Sequence, residues 1–183
     1  MKSYVILLRG INVGGKNKVP MAGLKMCLEK LGLSDVSTHI ASGNAFLKSD
    51  KPAAEIEAQI EKTLPEQFQL DSELIKVLAL DRGRLESIVN NKPKGFGEQP
   101  DKYHSDVIFL MGIDMSEAMP EFNPREGVDK IWSGDGVVYS QRLTAQRTKS
   151  RLNSIMATPA YKSMTIRSWS TTTKLLQLLE AMG

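Results

Sequence analysis

Residues 4–21 set the order of the first structural elements, and they read Tyr4-Val5-Ile6-Leu7-Leu8-Arg9-Gly10-Ile11-Asn12-Val13-Gly14-Gly15-Lys16-Asn17-Lys18-Val19-Pro20-Met21. The continuous apolar run over residues 4–8 predicts a buried strand. The segment rich in Gly and Asn that follows it predicts a loop. Pro20 occupies a position typical of the first turn of a helix, and Met21 begins an apolar stripe along that helix.

The elements after this helix complete the order β-α-β-β-α-β. Residues 36–40 and 45–47 flank Ala41-Ser42-Gly43-Asn44, and this pattern predicts a hairpin. Ile56, Ile60 and Leu64 form the buried stripe of a second helix, and residues 74–80 predict the next strand. This order is typical of the split βαβ, or ferredoxin-like, unit with an antiparallel sheet.

The second half of the chain repeats this order less clearly. Strands are predicted over residues 107–111, 128–132, 137–139 and 164–169, and helices over residues 116–122, 146–157 and 171–182. The tetrapeptide Ser133-Gly134-Asp135-Gly136 predicts a hairpin turn. We therefore expect an α+β chain of two ferredoxin-like halves, residues 1–90 and residues 103–183 with the terminal helix. Residues 91–102 are expected to form a linker or binding loop.

The charge of the chain is distributed unevenly. Residues 1–135 carry 17 Lys and Arg against 20 Asp and Glu, whereas residues 136–183 carry 7 Lys and Arg against a single acid, Glu180. This asymmetry favours an anionic partner near the C-terminal part, such as a nucleotide or nucleic acid. The alternative is a basic surface that is simply solvated.

The composition predicts a cytoplasmic protein. No apolar run approaches the roughly 18 residues that a membrane span requires. The apolar stretch over residues 4–8 is too short for a signal peptide, and Arg9 and Asn12 follow where a small-residue cleavage site should be. Cys27 is the single cysteine, which excludes an internal disulfide and a cysteine metal cluster.

The loop over residues 9–18 is the first candidate ligand site. It matches the pattern G-x-x-x-x-G-K, but Asn17 replaces the hydroxyl residue that binds magnesium in a P-loop. A looser anion-binding loop is the preferred interpretation, with the backbone amides of Gly14 and Gly15 cradling a phosphate. Its positive charge comes from the residues Arg9, Lys16 and Lys18. The alternative is a tight structural loop whose glycines supply positive φ angles.

Four further residues complete the predicted ligand site. Asn12 and Asn44 are expected to orient the anion, although Ser42-Gly43-Asn44 is also explained by turn geometry alone. In the C-terminal segment, Arg167 suits a phosphate and Trp169 a stacked base. The alternative places Trp169 in the core.

No catalytic or metal-binding group of residues stands out, and we expect no metal and no cofactor. His39 and His104 lack companion ligands. Two other functions stay open beside anion binding. One is an enzyme acting on a phosphorylated small molecule, with His39 or Asp35 as its base. The other is a protein–protein interaction module that presents an exposed apolar patch.

The motifs resemble those of the bacterial domain of unknown function 1697 family. The resemblance is carried by residues 7–21, by Ser42-Gly43-Asn44 and by Met164-Thr165-Ile166-Arg167-Ser168-Trp169. Members of that family often have Asn on either side of the Trp, where this chain has Ser168 and Ser170. The resemblance implies two ferredoxin-like halves along essentially the whole chain, and it implies no activity, cofactor or partner.

Overall fold

The computed structural model of the chain describes residues 1–71 and 75–183. It is an α+β protein with two four-stranded antiparallel sheets, each in its own compact unit. The first unit comprises Met1–Leu85 and Leu176–Gly183, and the second comprises Glu86–Leu175. None of the helices within the described ranges has the length and apolar character of a membrane-spanning segment.

Within the described ranges, the first unit contains four strands, two complete helices and the start of a third, together with the last part of the C-terminal helix. The elements of its N-terminal part are, in chain order, β1 (Lys2–Arg9), α1 (Met21–Lys30), β2 (Ser34–His39), β3 (Asn44–Ser49), α2 (Ala53–Gln67), β4 (Lys76–Asp81) and the start of α3 (Arg82–Asn90). The strands lie side by side in the order β2-β3-β1-β4, with every neighbour antiparallel. The predicted strand over residues 74–80 is confirmed from Lys76 onward, and Leu74 lies outside the described residues.

The core of the first unit follows from its helical periodicity. Leu24 and Leu28 of α1 and Ile56, Ile60 and Leu64 of α2 are fully buried. Residues three and four positions apart share one face of a helix, so each helix turns a continuous apolar stripe into the unit. These stripes pack with β-strand residues in a single apolar cluster. The sequence-based prediction of both stripes is confirmed.

The second unit repeats the antiparallel arrangement. Its elements are β5 (Tyr103–Leu110), α4 (Met115–Ala118), β6 (Asp129–Ser133), β7 (Val137–Leu143), β8 (Met164–Ser168) and most of α5 (Trp169–Ala181). Its strand order is β6-β7-β5-β8. The hairpin predicted at residues 133–136 is confirmed, since Gly134 N–H donates to the Val137 carbonyl across 2.8 Å.

The helix predicted over residues 146–157 is wrong. This part of the chain forms three short 3₁₀ turns, which are Thr144–Lys149, Leu152–Ala157 and Pro159–Ser163. Arg151, between the first two turns, has ψ near 4° and begins a new turn instead of continuing the previous one. Its N–H donates to a side-chain oxygen of Asp129 across 2.8 Å. A tertiary hydrogen bond therefore takes the place of a continuous helical ladder here.

Candidate functional site

The segment over residues 9–18, which we call the Gly/Lys loop, forms a closed and tightly turned structure. Val13 and Lys16 pair as an isolated β-bridge, and Lys16 N–H donates to the Val13 carbonyl across 2.9 Å. The two residues between them, Gly14 and Gly15, have φ angles of 58° and 77°. Positive φ at both central positions is the geometry of a type I′ turn, which glycine adopts without strain.

The side chain of Asn12 fixes the base of the Gly/Lys loop. Its Oδ1 accepts from Val19 N–H across 2.8 Å, and its Nδ2 donates to the carbonyls of Val19 and Ala41 across 2.9 and 3.1 Å. Asn12 also has a φ of 53°, a conformation that asparagine tolerates better than most residues. These contacts tie the loop to the chain ahead of α1 and to the β2–β3 turn.

The side chain of Asn17 holds the opposite end of the same loop. It is 5% exposed, and its Nδ2 donates to the Gly10 carbonyl across 2.7 Å. Its Oδ1 accepts from Asp71 N–H, while its own N–H donates to Asp71 Oδ2 across 2.7 Å. The turn is thus supported by side-chain hydrogen bonds on both sides, which makes its conformation well defined.

The tip of the Gly/Lys loop is polar and open to solvent. Gly14, Gly15, Lys16 and Lys18 are all exposed. Among the described residues, neither the N–H of Gly14 nor that of Gly15 has a hydrogen-bond partner, and neither lysine has an ion pair. Arg9 is half-buried at the end of β1, opposite Lys76 of β4. The loop therefore presents two backbone donors and two ammonium groups.

The surroundings of the Gly/Lys loop differ from those of a P-loop. The helix after it begins at Met21, and both neighbours of β1 are antiparallel. A P-loop requires the helix to begin directly after the lysine, with its N-terminus at the phosphate, in a strand–loop–helix unit. Any anion bound here would be held by the turn itself.

The segment Ser42-Gly43-Asn44 packs against β1. Gly43 has a φ of 81°, and an added Cβ would lie 3.0 Å from the Leu8 carbonyl oxygen. The Asn44 side chain is fully buried, and its Nδ2 donates to the His39 carbonyl and to Ser42 Oγ across 3.2 and 3.0 Å. Asn44 therefore shapes the turn that meets the Asn12 side chain at Ala41.

Two exposed apolar residues accompany these turns. Val13 is 65% exposed and follows Asn12, and Ile40 is 52% exposed and precedes Ala41. The Asn12–Ala41 hydrogen bond brings the two turns together at one end of the unit. Ile40 has a φ of 51°, which is a strained conformation for a β-branched side chain. Such strain is often found at functional positions.

Replacing Ile40 with asparagine is expected to raise the free energy of unfolding by about 1 kcal/mol, because asparagine tolerates the left-handed conformation. Chemical denaturation followed by circular dichroism measures the change. Ile40→Val is the control, since valine keeps the β-branch and therefore the strain. An asparagine variant no more stable than the valine variant would show that Ile40 is not strained.

The remaining two predicted site residues lie in the second unit. Arg167 is 7% exposed, and its Nη1 donates to Thr165 Oγ1 and to the Ile166 carbonyl across 2.8 and 2.9 Å. Burial lowers the pKa of the Arg167 guanidinium to about 10, so the group stays charged at neutral pH. A side chain this buried supports β8 and offers little surface to a ligand.

Trp169 is half-buried at the first position of α5. Its ring meets the ring of Phe96 edge to face, with centroids 5.2 Å apart. Phe96 is fully buried within the segment predicted as a linker, and it also contacts Trp132 and Tyr139. The sequence signal for this contact is a lone aromatic residue between Gly95 and Gly97 in a polar stretch.

A pocket of about 240 Å³ lies beside Trp169 in the second unit. Its lining consists of Gly97, Pro100, Tyr103, His104, Ser105, Ser168, Trp169 and Ser170. Of these residues, the sequence reasoning selected only Trp169 for a ligand site. The pocket is formed by the 97–100 segment, the start of β5 just after it, and the residues at the start of α5, which lie far along the chain from the other two.

His104 and Asp106 form a close side-chain pair that the sequence reasoning missed. His104 Nε2 lies 3.0 Å from Asp106 Oδ2, and the two side chains are 46% and 19% exposed. Alternate residues of a strand point to the same side of the sheet, so the spacing of two in β5 is the signal that could have revealed the pair. Burial raises the pKa of Asp106, and the positive charges of His104 and Arg142 partly oppose this shift.

Seven of the nine predicted ligand-binding residues lie in the first unit and two in the second. Within the first unit, the structure groups them around the Gly/Lys loop and the turn before β3. In the described part of the chain, no cluster of three or more His, Cys, Asp or Glu side chains could hold a metal ion. His39 lies at the end of β2, and Asp35 pairs with Lys48 across 3.3 Å.

Together these features define an α+β protein of two antiparallel sheet units with a well-ordered Gly/Lys loop. The chain belongs to the family described as "Protein of unknown function (DUF1697)", whose model matches residues 1–139. The segment around Trp169 lies beyond that match.

One solved structure with high similarity is that of the conserved bacterial protein SP0830 from Streptococcus pneumoniae. It is 28% identical to this chain, with a TM-score of 0.78, and the match covers 97% of this chain and 98% of that chain. None of the curated proteins compared with the chain matches it.

Proposed function

We propose that the protein binds an anionic ligand, either a phosphate compound such as a nucleotide or a nucleic acid, at the Gly/Lys loop. The observation that carries this proposal is the exposed pair of N–H groups at Gly14 and Gly15, next to the ammonium groups of Lys16 and Lys18. Backbone amides at a turn with positive φ angles are a common way to hold phosphate oxygens. Lysine adds charge without requiring one fixed geometry.

The rigidity of the loop supports the proposal. Asn12 and Asn17 use their side chains to fix the turn, so the ligand would not have to order it. A preorganised site loses less affinity to conformational entropy than a flexible one. In this proposal Asn12 and Asn44 position the loop and its neighbouring turn, and Arg9 adds positive charge at its base.

The exposed side chains of Val13 and Ile40 extend the proposed site. They lie at the same end of the unit as the charged tip, because the Asn12–Ala41 hydrogen bond joins their two turns. A ligand with an apolar part next to its anionic group would contact both kinds of surface. We therefore propose an organic phosphate compound ahead of inorganic phosphate as the natural ligand.

Changing Lys16 and Lys18 to glutamine together is expected to weaken phosphate-compound binding about tenfold, since exposed charge contacts contribute about 0.2–1 kcal/mol each. A thermal-shift panel of nucleotides, sugar phosphates and short RNA and DNA measures the loss at low and moderate salt. A ligand near 100 times its Kd adds about 2.7 kcal/mol of stability to the wild type.

The matched control for this variant is the double change Lys30→Gln and Lys62→Gln. Both lysines are exposed on helices of the same unit, so the loss of net charge is identical. Equal weakening in the two double variants would show a diffuse electrostatic effect and would contradict a site at the Gly/Lys loop. Oligonucleotide binding that salt abolishes would favour nucleic acid as the ligand.

A second candidate is an enzyme that acts on a phosphorylated small molecule. The observation that favours it is the His104–Asp106 pair, in which a carboxylate orients an imidazole beside a pocket. A histidine oriented in this way can serve as a general acid or base. ³¹P NMR shows whether the protein converts any ligand of the panel into a product. A product would mean that the protein is an enzyme and not only a binding protein.

We also propose a fold class for the two units, each of which we assign to the ferredoxin-like, split βαβ class. The strand orders β2-β3-β1-β4 and β6-β7-β5-β8, antiparallel throughout, support this assignment.

We also place the protein in the cytoplasm, where the buried thiol of Cys27 would stay reduced.

A further inference from the structure

The pocket beside Trp169 has a rigid aromatic wall. Phe96 packs edge to face against the indole, and Gly97 approaches it so closely that an added Cβ would lie 2.4 Å from Cδ1 and Nε1. The indole therefore has little freedom to rotate, although part of it remains open to the pocket. An aromatic surface fixed in advance binds a flat ring at a low entropic cost.

A second aromatic ring belongs to the same pocket. Tyr103 is half-buried at the start of β5, and the ammonium group of Lys102 lies 5.2 Å from its ring centroid. Pro100 and Gly97 add further nonpolar lining without bulk. Aromatic walls of this kind suit the face of a planar ring, and stacking is tolerant of which ring is bound.

Hydroxyl groups supply the polar part of the lining. Ser105 is 9% exposed, and its Oγ donates to Gln141 Oε1 across 2.9 Å. Gln141 Oε1 also accepts from Gly97 N–H across 3.1 Å, so the Gln141 side chain holds both Ser105 and Gly97 in place. Ser168 caps α5 by accepting from Thr171 N–H, and Ser170 lies 3.1 Å from it. Since the hydroxyls of Ser105 and Ser168 donate to Gln141 and Thr171, they offer their oxygens as acceptors for the N–H groups at the edge of a heteroaromatic ring.

The pocket differs from the Gly/Lys loop in its charge. Of the eight residues that line it within the described chain, none is Lys, Arg, Asp or Glu, and the one titratable side chain besides Tyr103 is His104. Its volume of about 240 Å³ lies below the range of about 300–1,000 Å³ that is usual for drug-sized ligands. Because the His104 imidazole is paired with the Asp106 carboxylate, the described lining residues carry no unpaired charge and suit a small uncharged group.

We propose that this pocket binds the planar heteroaromatic ring of a nucleobase or a similar compound, stacked on Trp169. This is a second site, which does not depend on phosphate binding at the Gly/Lys loop. Since the pocket recognises an uncharged ring, nucleosides without a phosphate bind it. Ribose and inorganic phosphate lack the ring and do not.

The test uses ¹⁵N-labelled full-length protein and the indole N–H signals of its two tryptophans, assigned with the variant Trp132→Phe. Adenosine, guanosine, cytidine and uridine are added separately up to millimolar concentration. At least one nucleoside is expected to shift the Trp169 signal in a saturable manner, and ribose and inorganic phosphate leave it in place. If no nucleoside shifts it, or if phosphate alone does, the proposal is overturned.

A matched pair of variants locates the effect. Ser170→Phe fills the pocket from an exposed position two residues after the cap of α5, and Ser116→Phe makes the same change two residues after the cap of α4. The nucleoside-induced shift of Trp169 is expected to fall at least tenfold in Ser170→Phe and to persist in Ser116→Phe. Equal shifts in the two variants would place the ring elsewhere and overturn the proposal.

Discussion

Changing Gly97 to alanine is expected to lower the free energy of unfolding by roughly 3 kcal/mol. Two effects add up at this position. Gly97 has a φ of 71°, which alanine adopts only with strain, and the new Cβ would lie 2.4 Å from two atoms of the Trp169 indole. The indole cannot move aside easily, because Phe96 packs against it. Urea denaturation followed by circular dichroism gives the change.

Gly95→Ala is the matched control for this experiment. Gly95 has a φ of 85° in the same segment, but an added Cβ there would have no atom within 4 Å among the described residues. The control therefore carries the backbone strain alone, about 1–2 kcal/mol. The difference between the two variants measures the steric contact with Trp169. Equal losses of stability would mean that the segment and the indole are not in contact as described.

Changing Asp129 to alanine is also expected to cost roughly 3 kcal/mol of stability, because hydrogen bonds to a charged group contribute about 1.5–3 kcal/mol each. Asp129 is 6% exposed at the start of β6. Its Oδ2 accepts from the N–H groups of Arg125 and Arg151 across 2.9 and 2.8 Å. Removing the carboxylate would leave both partly buried backbone N–H groups without this acceptor.

Two buried polar atoms at this site lack a hydrogen-bond partner among the described residues. They are Oδ1 of Asp129 itself and Nε of Arg125. Asp101→Ala is the control, since Asp101 is exposed and makes no hydrogen bond with any described residue. Thermal denaturation of both variants compares the two positions. A loss at Asp129 as small as that at Asp101 would contradict the role given to its carboxylate.

Periodicity was sufficient to predict most of the fold. The apolar run at the start of the chain and the stripes of α1 and α2 reflect burial on one side of an element, which sequence spacing records directly. The region over residues 146–157 shows where this reasoning fails. Its apolar residues have helical spacing, but the hydrogen bond from Arg151 to Asp129 ends the turn. The acceptor is 22 residues away, so local pattern could not reveal it.

The candidate sites were only partly predictable from sequence. The charges and glycines of the Gly/Lys loop are adjacent in the chain, so their combination was visible. The tertiary contacts of Asn12 and Asn17 were not, because their partners include Ala41 and Asp71. The pocket beside Trp169 combines Gly97, Ser105 and Ser170 from three segments. Sequence spacing carries no signal for such a combination.

A ¹⁵N-resolved titration with inorganic phosphate would show whether the Gly/Lys loop holds an anion. If it does, the amide signals of Gly14 and Gly15 should shift together and saturate, because their exposed N–H groups become hydrogen-bonded. The same shifts should shrink in the Lys16→Gln, Lys18→Gln double variant. Amide signals of Gly14 and Gly15 that stay in place while other signals saturate would contradict anion binding at this loop.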